Sequence, residues 1–250
     1  MKKLVLILCV FFTSFGFSQT EGELFFQANN LYKNGSYTEA VELYKKIEDL
    51  GQESDDLYYN LGNTYYKLNK IAPSIYYYEK ALKLNPINED VITNLAFAKR
   101  MKIDAIEVMP KTFLQKFSEK YIYKLHYDTW AWIAVVLSFI GALLFLLYHF
   151  SYSSAKKLLY FNTSILSALL LIISVVFAYK SYNHEKNTKH AIIFKQSTEI
   201  KNAPTLNSDT TFELHEGTKV LVLDVIDDWK KIKLADGKIG WILADDLREI

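Results

Sequence analysis

The sequence predicts a multidomain membrane protein that combines an all-α helical repeat, a two-helix transmembrane hairpin and a small all-β barrel. Three observations lead to this fold class. Residues 20–108 repeat with a period of about 34 residues, two long uncharged runs follow, and the last part of the chain alternates between apolar and polar side chains. The length of 250 residues is enough for more than one domain.

Composition excludes several classes of protein. The chain has 29 Lys and Arg against 28 Asp and Glu, a formal net charge of +1, so no strong basic field favours nucleic acid as a partner. Hydrophobic residues make up 50%, and only 9 residues are Gly and 4 are Pro, which excludes a disordered or collagen-like chain. The single cysteine, Cys9, lies in the first apolar run. A chain cleaved after this run has no thiol for a disulfide, a zinc site or a cysteine nucleophile.

Residues 1–18 have the three features of a secretory signal peptide. Two lysines follow Met1, an apolar run extends from Leu4 to Phe12, and the small residue Ser18 ends the segment. We therefore predict cleavage after Ser18 and export of the rest of the chain. An uncleaved membrane anchor is the alternative, and it exports the following residues in the same way.

Residues 20–108 contain an internal repeat of helical type. Small and aromatic residues recur about 34 positions apart. The first unit is marked by Ala28, Leu31, Gly35, Tyr37, Ala40 and Tyr44, and the second by Gly62, Tyr65, Asn69, Ile71, Ser74 and Tyr78. With Ala81 and Pro86, this pattern resembles the tetratricopeptide repeat (TPR) family, which implies stacked pairs of antiparallel helices. A third unit starts in register at Ile92 and then departs from the pattern, which predicts a half repeat or a capping helix.

The TPR resemblance implies a concave surface formed by the first helix of each repeat. On that side the sequence places aromatic side chains interleaved with amides, a combination suited to peptide capture. The candidate peptide-binding residues are Phe25, Asn29, Tyr32, Tyr59, Asn63, Tyr66, Lys67 and Phe97. The alternative is that this face packs against a neighbouring element of the same chain. Three other tyrosines, Tyr58, Tyr65 and Tyr78, are predicted to be core residues.

Residues 109–128 predict an amphipathic linker. Apolar side chains recur at helical spacing from Phe113 onward, and Lys116, Lys120 and Lys124 form a separate stripe. Two interpretations are open: a basic amphipathic helix that lies along lipid headgroups, or an ordinary linker helix.

Two uncharged runs predict transmembrane helices over 129–150 and 158–179. Each is long enough to cross a hydrocarbon layer of roughly 30 Å at about 1.5 Å per residue. Aromatic residues, which favour the membrane interface, stand at the ends of the runs: Trp130, Trp132, Tyr148, Tyr160 and Tyr179. The short connection predicts a helical hairpin in the lipid bilayer. Together with an exported N-terminus, two spans place both flanking modules outside the cytoplasm.

Residues 188–250 predict a small β domain. The side chains alternate over 218–223, and Asp236-Gly237 is a strong hairpin signal. The segments 214–218, 228–229, 235–237 and 240–242 resemble the bacterial SH3 (SH3b) family. That resemblance implies a small SH3-like barrel that binds ligands, often cell-wall peptides, and does not catalyse. Trp229 and Trp241 are either core residues or part of a shallow binding groove.

No pattern in the sequence indicates an active site. Of the five histidines, His184 and His190 lie in a Lys-rich linker without a carboxylate cluster nearby, and there is no HExxH motif and no Gly-rich phosphate loop. We therefore expect a protein that is not an enzyme, with no cofactor and no metal ligands.

The order of the modules points to one family more specifically than any single motif does. A signal peptide, a short TPR array, a membrane hairpin and a terminal SH3b barrel are typical of the BatE-type proteins of bacterial aerotolerance (Bat) operons. The resemblance implies an inner-membrane protein whose modules face the periplasm, with von Willebrand A domain Bat proteins and a MoxR-type ATPase system as partners. Two functions follow: an interaction scaffold in a Bat aerotolerance complex, or an envelope sensor or anchor whose SH3b domain binds peptidoglycan.

Overall fold

The structure, a computed structural model, describes residues 21–250; the predicted signal peptide, 1–18, lies outside the described residues. The chain divides into two compact units. The first contains the described residues through Val108 together with His190–Ile250, and the second is Met109–Lys189. Two distant parts of the sequence therefore fold together, and the segment with the apolar helices lies between them in the sequence.

Paired helices form the N-terminal part of the first unit. They are α1 (21–33), α2 (Tyr37–Asp49), α3 (Asp55–Lys67), α4 (Ile71–Leu84) and α5 (Glu89–Lys99). Helix α3 begins after Ser54 and α5 after Asn88, and each of these side chains accepts a hydrogen bond from a backbone N–H in the first turn. The turns after α1 and α3 use left-handed residues, Gly35 (φ 82°) and Asn69 (φ 57°). Caps and turns thus repeat at the same interval as the core residues.

The second repeat is held by close contact between Gly62 on α3 and Tyr78 on α4. A Cβ atom at residue 62 would lie 2.6 Å from Cδ1 of the Tyr78 ring, closer than any real packing distance. Tyr58 and Tyr78 are both fully buried. Tyr65, also predicted to be a core residue, is half-buried and stacks on Tyr77 with ring centroids 5.5 Å apart. Only glycine at residue 62 lets the two helices approach this closely.

The C-terminal part of the first unit is a seven-stranded sheet. Its strands are β1 (Lys189–Ile193), β2 (Ser197–Lys201), β3 (Thr210–His215), β4 (Lys219–Ile226), β5 (Trp229–Lys233), β6 (Ile239–Leu243) and β7 (Leu247–Glu249), in the order β3-β2-β6-β5-β4-β1-β7. The paired strands run antiparallel, as between β5 and β6, where Lys231 lies opposite Trp241. Buried side chains from all seven strands form one cluster, so the sheet curves around a common core.

The predicted SH3-like barrel is wrong in one respect, because the sheet is not closed. Strands β3 and β7 end the strand order, and β7 pairs with β1 instead of β3. Strand β2 meets β6 at a single register position, Lys201 opposite Trp241. The alternation of side chains predicted strands correctly, but it does not specify which edges join. The antiparallel sheet and the helical repeats agree with the predicted fold class.

Apolar side chains join the sheet to the helices. Ile192 of β1 is fully buried in the core of the helical repeats, and the Phe194 ring lies edge-on to Tyr76 of α4, with centroids 5.5 Å apart. Gly217 approaches Ile71 so closely that a Cβ atom would lie 2.9 Å from Cγ2. Helix α5 packs on α4, and among the described residues no further helix of the array follows it, so the sheet contributes the next packing surface at this end.

A buried carboxylate lies at the same contact. Glu79 of α4 is only 8% exposed, and its two oxygens lie 2.6 Å from Nζ of Lys219 and 2.8 Å from Nζ of Lys99. Burial by itself would raise the pKa of Glu79, but the two ammonium groups outweigh it and lower the pKa from 4.5 to about 2. The carboxylate is therefore ionised at neutral pH and joins a helix of the array to strand β4.

A second carboxylate, Asp104, binds the sheet from the segment after α5. Its oxygens accept hydrogen bonds from the backbone N–H of His215 at 2.8 Å, the His215 ring Nδ1–H at 2.8 Å and the Thr218 hydroxyl at 2.7 Å. Burial raises the pKa of Asp104, but these donors outweigh it and hold the pKa below its ordinary value. Glu79 and Asp104 therefore both stabilise the contact between the sheet and the helical repeats.

The second unit contains two long apolar helices, α7 (Tyr127–Phe150) and α8 (Ser154–Asn187), after a short helix α6 (Phe113–Phe117) and a π-helical turn (Ser118–Ile122). Both long helices have the length and composition to cross a membrane, which is compatible with two spans. They pack through small residues: Ser167, Ser174 and Ser181 recur every seven positions along α8 and are buried. The Ser167 hydroxyl donates to the Leu137 carbonyl at 2.8 Å.

Replacing the glycine at the closest helix contact is expected to destabilise the array. In Gly62→Ala, the added methyl group overlaps the Tyr78 ring, and we expect a loss of about 1–3 kcal/mol in the free energy of unfolding. The control is Gly22→Ala, since a Cβ atom there meets nothing within 4 Å. Thermal unfolding of both full-length variants in mild detergent measures the difference. Equal melting temperatures would show that the α3–α4 contact is looser than described.

The buried carboxylate predicts a specific response to acid. In Glu79→Gln, loss of the charged contacts is expected to cost about 2 kcal/mol at neutral pH. Because the pKa is lowered on folding, the stabilising charge is present above the ordinary value of 4.5 and disappears as pH falls toward about 2. The difference in stability from the native chain should therefore shrink over that interval. Glu42→Gln, an exposed site on α2, is the control, and a pH-independent difference for Glu79→Gln would contradict the assignment.

Candidate peptide-binding groove

A concave groove runs across the first helices of the repeats. Its cavity has a volume of about 580 Å³. The lining residues are Asn29, Tyr32, Lys33, Tyr59, Asn60, Asn63, Tyr66, Lys67, Tyr78, Asn94 and Phe97, which come from α1, α3, α4 and α5. The stacking of the repeats thus brings together residues that are widely separated in sequence.

The first repeat places a hydrogen-bonded amide cluster in this groove. The carboxamide oxygen of Asn29 accepts two hydrogen bonds, one from the Tyr44 hydroxyl at 2.5 Å and one from Nδ2 of Asn60 at 3.1 Å. Tyr44 is fully buried, so its hydroxyl reaches the groove from the core. We call Asn29, Tyr44 and Asn60 the first amide cluster.

The second repeat builds the same arrangement 34 residues later. Oδ1 of Asn63 accepts from the Tyr78 hydroxyl at 2.6 Å and from Nδ2 of Asn94 at 2.8 Å. Nδ2 of Asn94 also donates to the Tyr59 hydroxyl at 3.2 Å. We call Asn63, Tyr78 and Asn94 the second amide cluster.

These bonds fix the orientation of every amide. With the Oδ1 atoms of Asn29 and Asn63 occupied, their Nδ2 groups remain as donors, and the Oδ1 atoms of Asn60 and Asn94 remain as acceptors. Within residues 21–250, none of these four atoms has a hydrogen-bond partner in the structure. Each cluster therefore offers one donor and one acceptor to a ligand.

The tyrosines of the clusters stay neutral. Burial raises the pKa of Tyr44 and of Tyr78 above the ordinary value of 10.0, and neighbouring tyrosines add to the effect. Their hydroxyls consequently remain protonated and donate to the asparagines across the physiological pH range.

Aromatic rings and cations complete the surface. Tyr32, Tyr59, Tyr66 and Phe97 present ring faces and edges, and Phe97 is 47% exposed. The charged residues of the lining, within the described chain, are Lys33 and Lys67, with no carboxylate among them. The groove combines apolar contact area, fixed amides and positive charge.

Seven of the eight sequence-predicted residues line this groove, and Phe25 does not. Its ring instead packs edge-on to Tyr44 at 5.9 Å between centroids. The candidate list left out Lys33, which the sequence places on the same face, and it also left out Asn60 and Asn94. Tyr78 was assigned to the core alone, although it is both buried and part of the lining. Asn60 and Asn94 are 34 residues apart, which is the repeat period, and this interval was the signal that could have revealed both residues.

A smaller cavity of about 370 Å³ lies on the sheet. It is lined by Trp229 and Leu206 together with residues such as Lys195 and Asp246. Lys195 and Asp246 already form an ion pair at 3.1 Å. Trp241, the other tryptophan of the SH3b-like motif, is only 8% exposed and is a core residue.

No three His, Cys, Asp or Glu residues of the described chain converge on a site that could hold a metal ion.

Comparison with known proteins identifies the helical repeats. Residues 56–88 match the family model of the tetratricopeptide repeat, and residues 28–69 match a TPR repeat model. No curated protein matches the chain. The matched region carries most of the groove. The chain therefore contains TPR repeats, which are typical of protein–protein interaction and of non-catalytic modules.

Proposed function

We propose that this chain is a non-enzymatic membrane scaffold whose TPR groove holds an extended segment of a partner protein. The observation that carries the proposal is the pair of amide clusters, each with one donor and one acceptor directed at the groove. A peptide backbone has this same pair of groups in every residue.

The spacing of the clusters supports an extended ligand. Packed helices lie about 8–10 Å apart, and an extended chain advances about 3.3 Å per residue. Two clusters one repeat apart therefore engage backbone groups about three residues apart. Recognition of the main chain fixes the register, while the aromatic rings hold side chains between the clusters.

The charge of the groove indicates which kind of partner segment binds there. Lys33 and Lys67 stand at equivalent positions of the two repeats, and the lining offers no opposing carboxylate within the described residues. A segment with acidic side chains complements this surface and is guided to it. The bound segment is therefore an acidic, extended stretch of a protein.

Composition and connectivity support a membrane placement. Helices α7 and α8 are long and apolar enough to span. The parts of the chain before and after them belong to one compact unit, joined through Glu79 and Lys219. A hairpin whose two ends lead into one folded unit has both ends on the same side of the bilayer. With the predicted signal peptide, that side is outside the cytoplasm.

The resemblance to BatE-type proteins supplies the expected setting. On that basis the modules face the periplasm from the inner membrane, and the partners are von Willebrand A domain Bat proteins of an aerotolerance complex.

A second function is favoured by the cavity beside Trp229: an SH3b-like module that anchors or senses peptidoglycan. Pull-down of purified peptidoglycan by the full chain, and its loss in Trp229→Ala, would support this second function.

Reversing the charge of the groove is expected to release the partner. In the double variant Lys33→Glu and Lys67→Glu, two like charges face an acidic segment, and recovery of the partner should fall at least about tenfold. Quantitative mass spectrometry of proteins that co-purify in mild detergent measures this recovery. The matched control, Lys46→Glu with Lys70→Glu, makes the same charge change at exposed lysines outside the groove. Equal losses in both variants, or no loss in either, would contradict docking in the groove.

Cysteine labelling tests the topology. In a Cys9→Ala background, cysteines at Thr38, Asn207 and Tyr152 report on the repeats, the sheet and the turn between the long helices. We expect a membrane-impermeant maleimide to label the first two in spheroplasts and the third only after lysis. Labelling of Thr38→Cys and Asn207→Cys on opposite sides would contradict the contact between repeats and sheet. Labelling of all three in spheroplasts would contradict the spans.

A further inference from the structure

The residues just before the first apolar helix form a surface that the groove does not explain. This juxtamembrane segment, residues 113–125, contains α6 and the π-helical turn. Its large apolar side chains face outward: Phe113 is 80% and Leu114 72% exposed, and Phe117 and Tyr121 are exposed with ring centroids 5.0 Å apart. Apolar side chains concentrated on an exposed surface indicate a binding surface.

The opposite side of the segment is fastened to α8. The Lys180 ammonium donates to the Ser118 hydroxyl at 2.9 Å, and the Tyr123 ring stacks on the His184 ring at 4.0 Å between centroids. The Trp130 indole N–H donates to the Ile122 carbonyl at 3.0 Å. Ser118 and Ile122 are buried by these contacts. The segment therefore has one internal face that is already occupied and one outward face that is open.

These contacts also fix the level of the segment along the hairpin. Its partners on α8 lie just beyond Tyr179, where the uncharged run ends, and its partner on α7 is the interfacial Trp130. If the hairpin spans, this level is the border between hydrocarbon and water. The outward apolar side chains are consequently at headgroup depth.

Cations flank the apolar side chains. Lys116, Lys120 and Lys124 recur every four residues and are exposed, and no carboxylate in the described part of the chain forms an ion pair with them. The neighbouring Glu119 is engaged elsewhere, since Lys111 lies 2.6 Å from its carboxylate. Three uncompensated ammonium groups beside exposed rings complement an anionic surface with an apolar interior.

We propose that the juxtamembrane segment is a binding site for anionic phospholipid. Phe113, Leu114 and Phe117 enter the headgroup region, while the three lysines hold lipid phosphates. The inference rests on the proposed membrane placement of the hairpin. A protein partner or a second copy of this chain would need carboxylates opposite the lysines at headgroup depth, where lipid phosphates are already abundant.

The test uses the full chain in nanodiscs, in a Cys9→Ala background, with an environment-sensitive fluorophore on one introduced cysteine. At Leu114→Cys, we expect quenching by lipids that carry a quencher near the headgroup, and stronger quenching when phosphatidylglycerol is mixed with phosphatidylcholine. At Leu170→Cys on α8, lipids with a quencher in the acyl chain should quench, which reports on the span itself. Quenching at residue 170 without quenching at residue 114 would overturn the lipid site and leave the span intact, whereas quenching at neither would overturn both.

Charge dependence is tested with Lys116→Gln, Lys120→Gln and Lys124→Gln in one variant. Each lysine near an anionic surface strengthens binding about fivefold, so the three substitutions together should weaken binding about a hundredfold, and the variant should retain much less phosphatidylglycerol after purification. The control is Lys46→Gln, Lys70→Gln and Lys83→Gln, which removes the same charge from exposed lysines of the repeats outside the groove. Equal phosphatidylglycerol retention by the triple variant and the native chain would overturn the proposal. A cross-link from residue 114 to a second copy or another protein, in place of lipid, would also overturn it.

Discussion

A carboxylate stays ionised in a buried position only when cations or hydrogen-bond donors compensate its charge, and two lysines do so for Glu79 from two directions. Lys99 belongs to the repeat array itself, and Lys219 comes from the sheet. The preceding residue along the chain, Tyr78, faces the other way and holds Asn63 of the groove. One helix, α4, therefore joins the sheet to the peptide-binding surface. The position of the groove residues depends on a contact made on the opposite side of the same helix.

The groove is organised before any ligand arrives. In each repeat a buried tyrosine and a neighbouring asparagine hold the central amide, so a bound backbone meets donors and acceptors that are already oriented. Because little side-chain freedom remains to be lost, a short segment can bind with useful affinity. The two clusters are alike, which suits recognition of the main chain, whereas the rings and lysines around them distinguish one sequence from another.

Much of this architecture could be read from the sequence, because repeats and alternation are local signals. The period that marked the helices also placed seven of the eight predicted residues on the lining of the groove, since residues four and three apart share a helical face. Phe25 was assigned to the groove, but its ring packs inward on Tyr44. Strand alternation could not show that β7 pairs with β1, which leaves the sheet open. Glu79 resembles any surface glutamate in sequence, because its partner on the sheet lies 140 residues away.

That separation has a consequence for biogenesis. The ribosome completes the repeats long before it makes the sheet that covers α4, and the two apolar helices must be synthesised in between. Until then Glu79 lacks Lys219, and the surface that receives Ile192 and Phe194 is open to water. Such late, distant contacts are slow to form. The array therefore reaches its final stability only after the hairpin has been made, so a chain truncated within the hairpin keeps an unfinished repeat domain that chaperones and proteases can recognise.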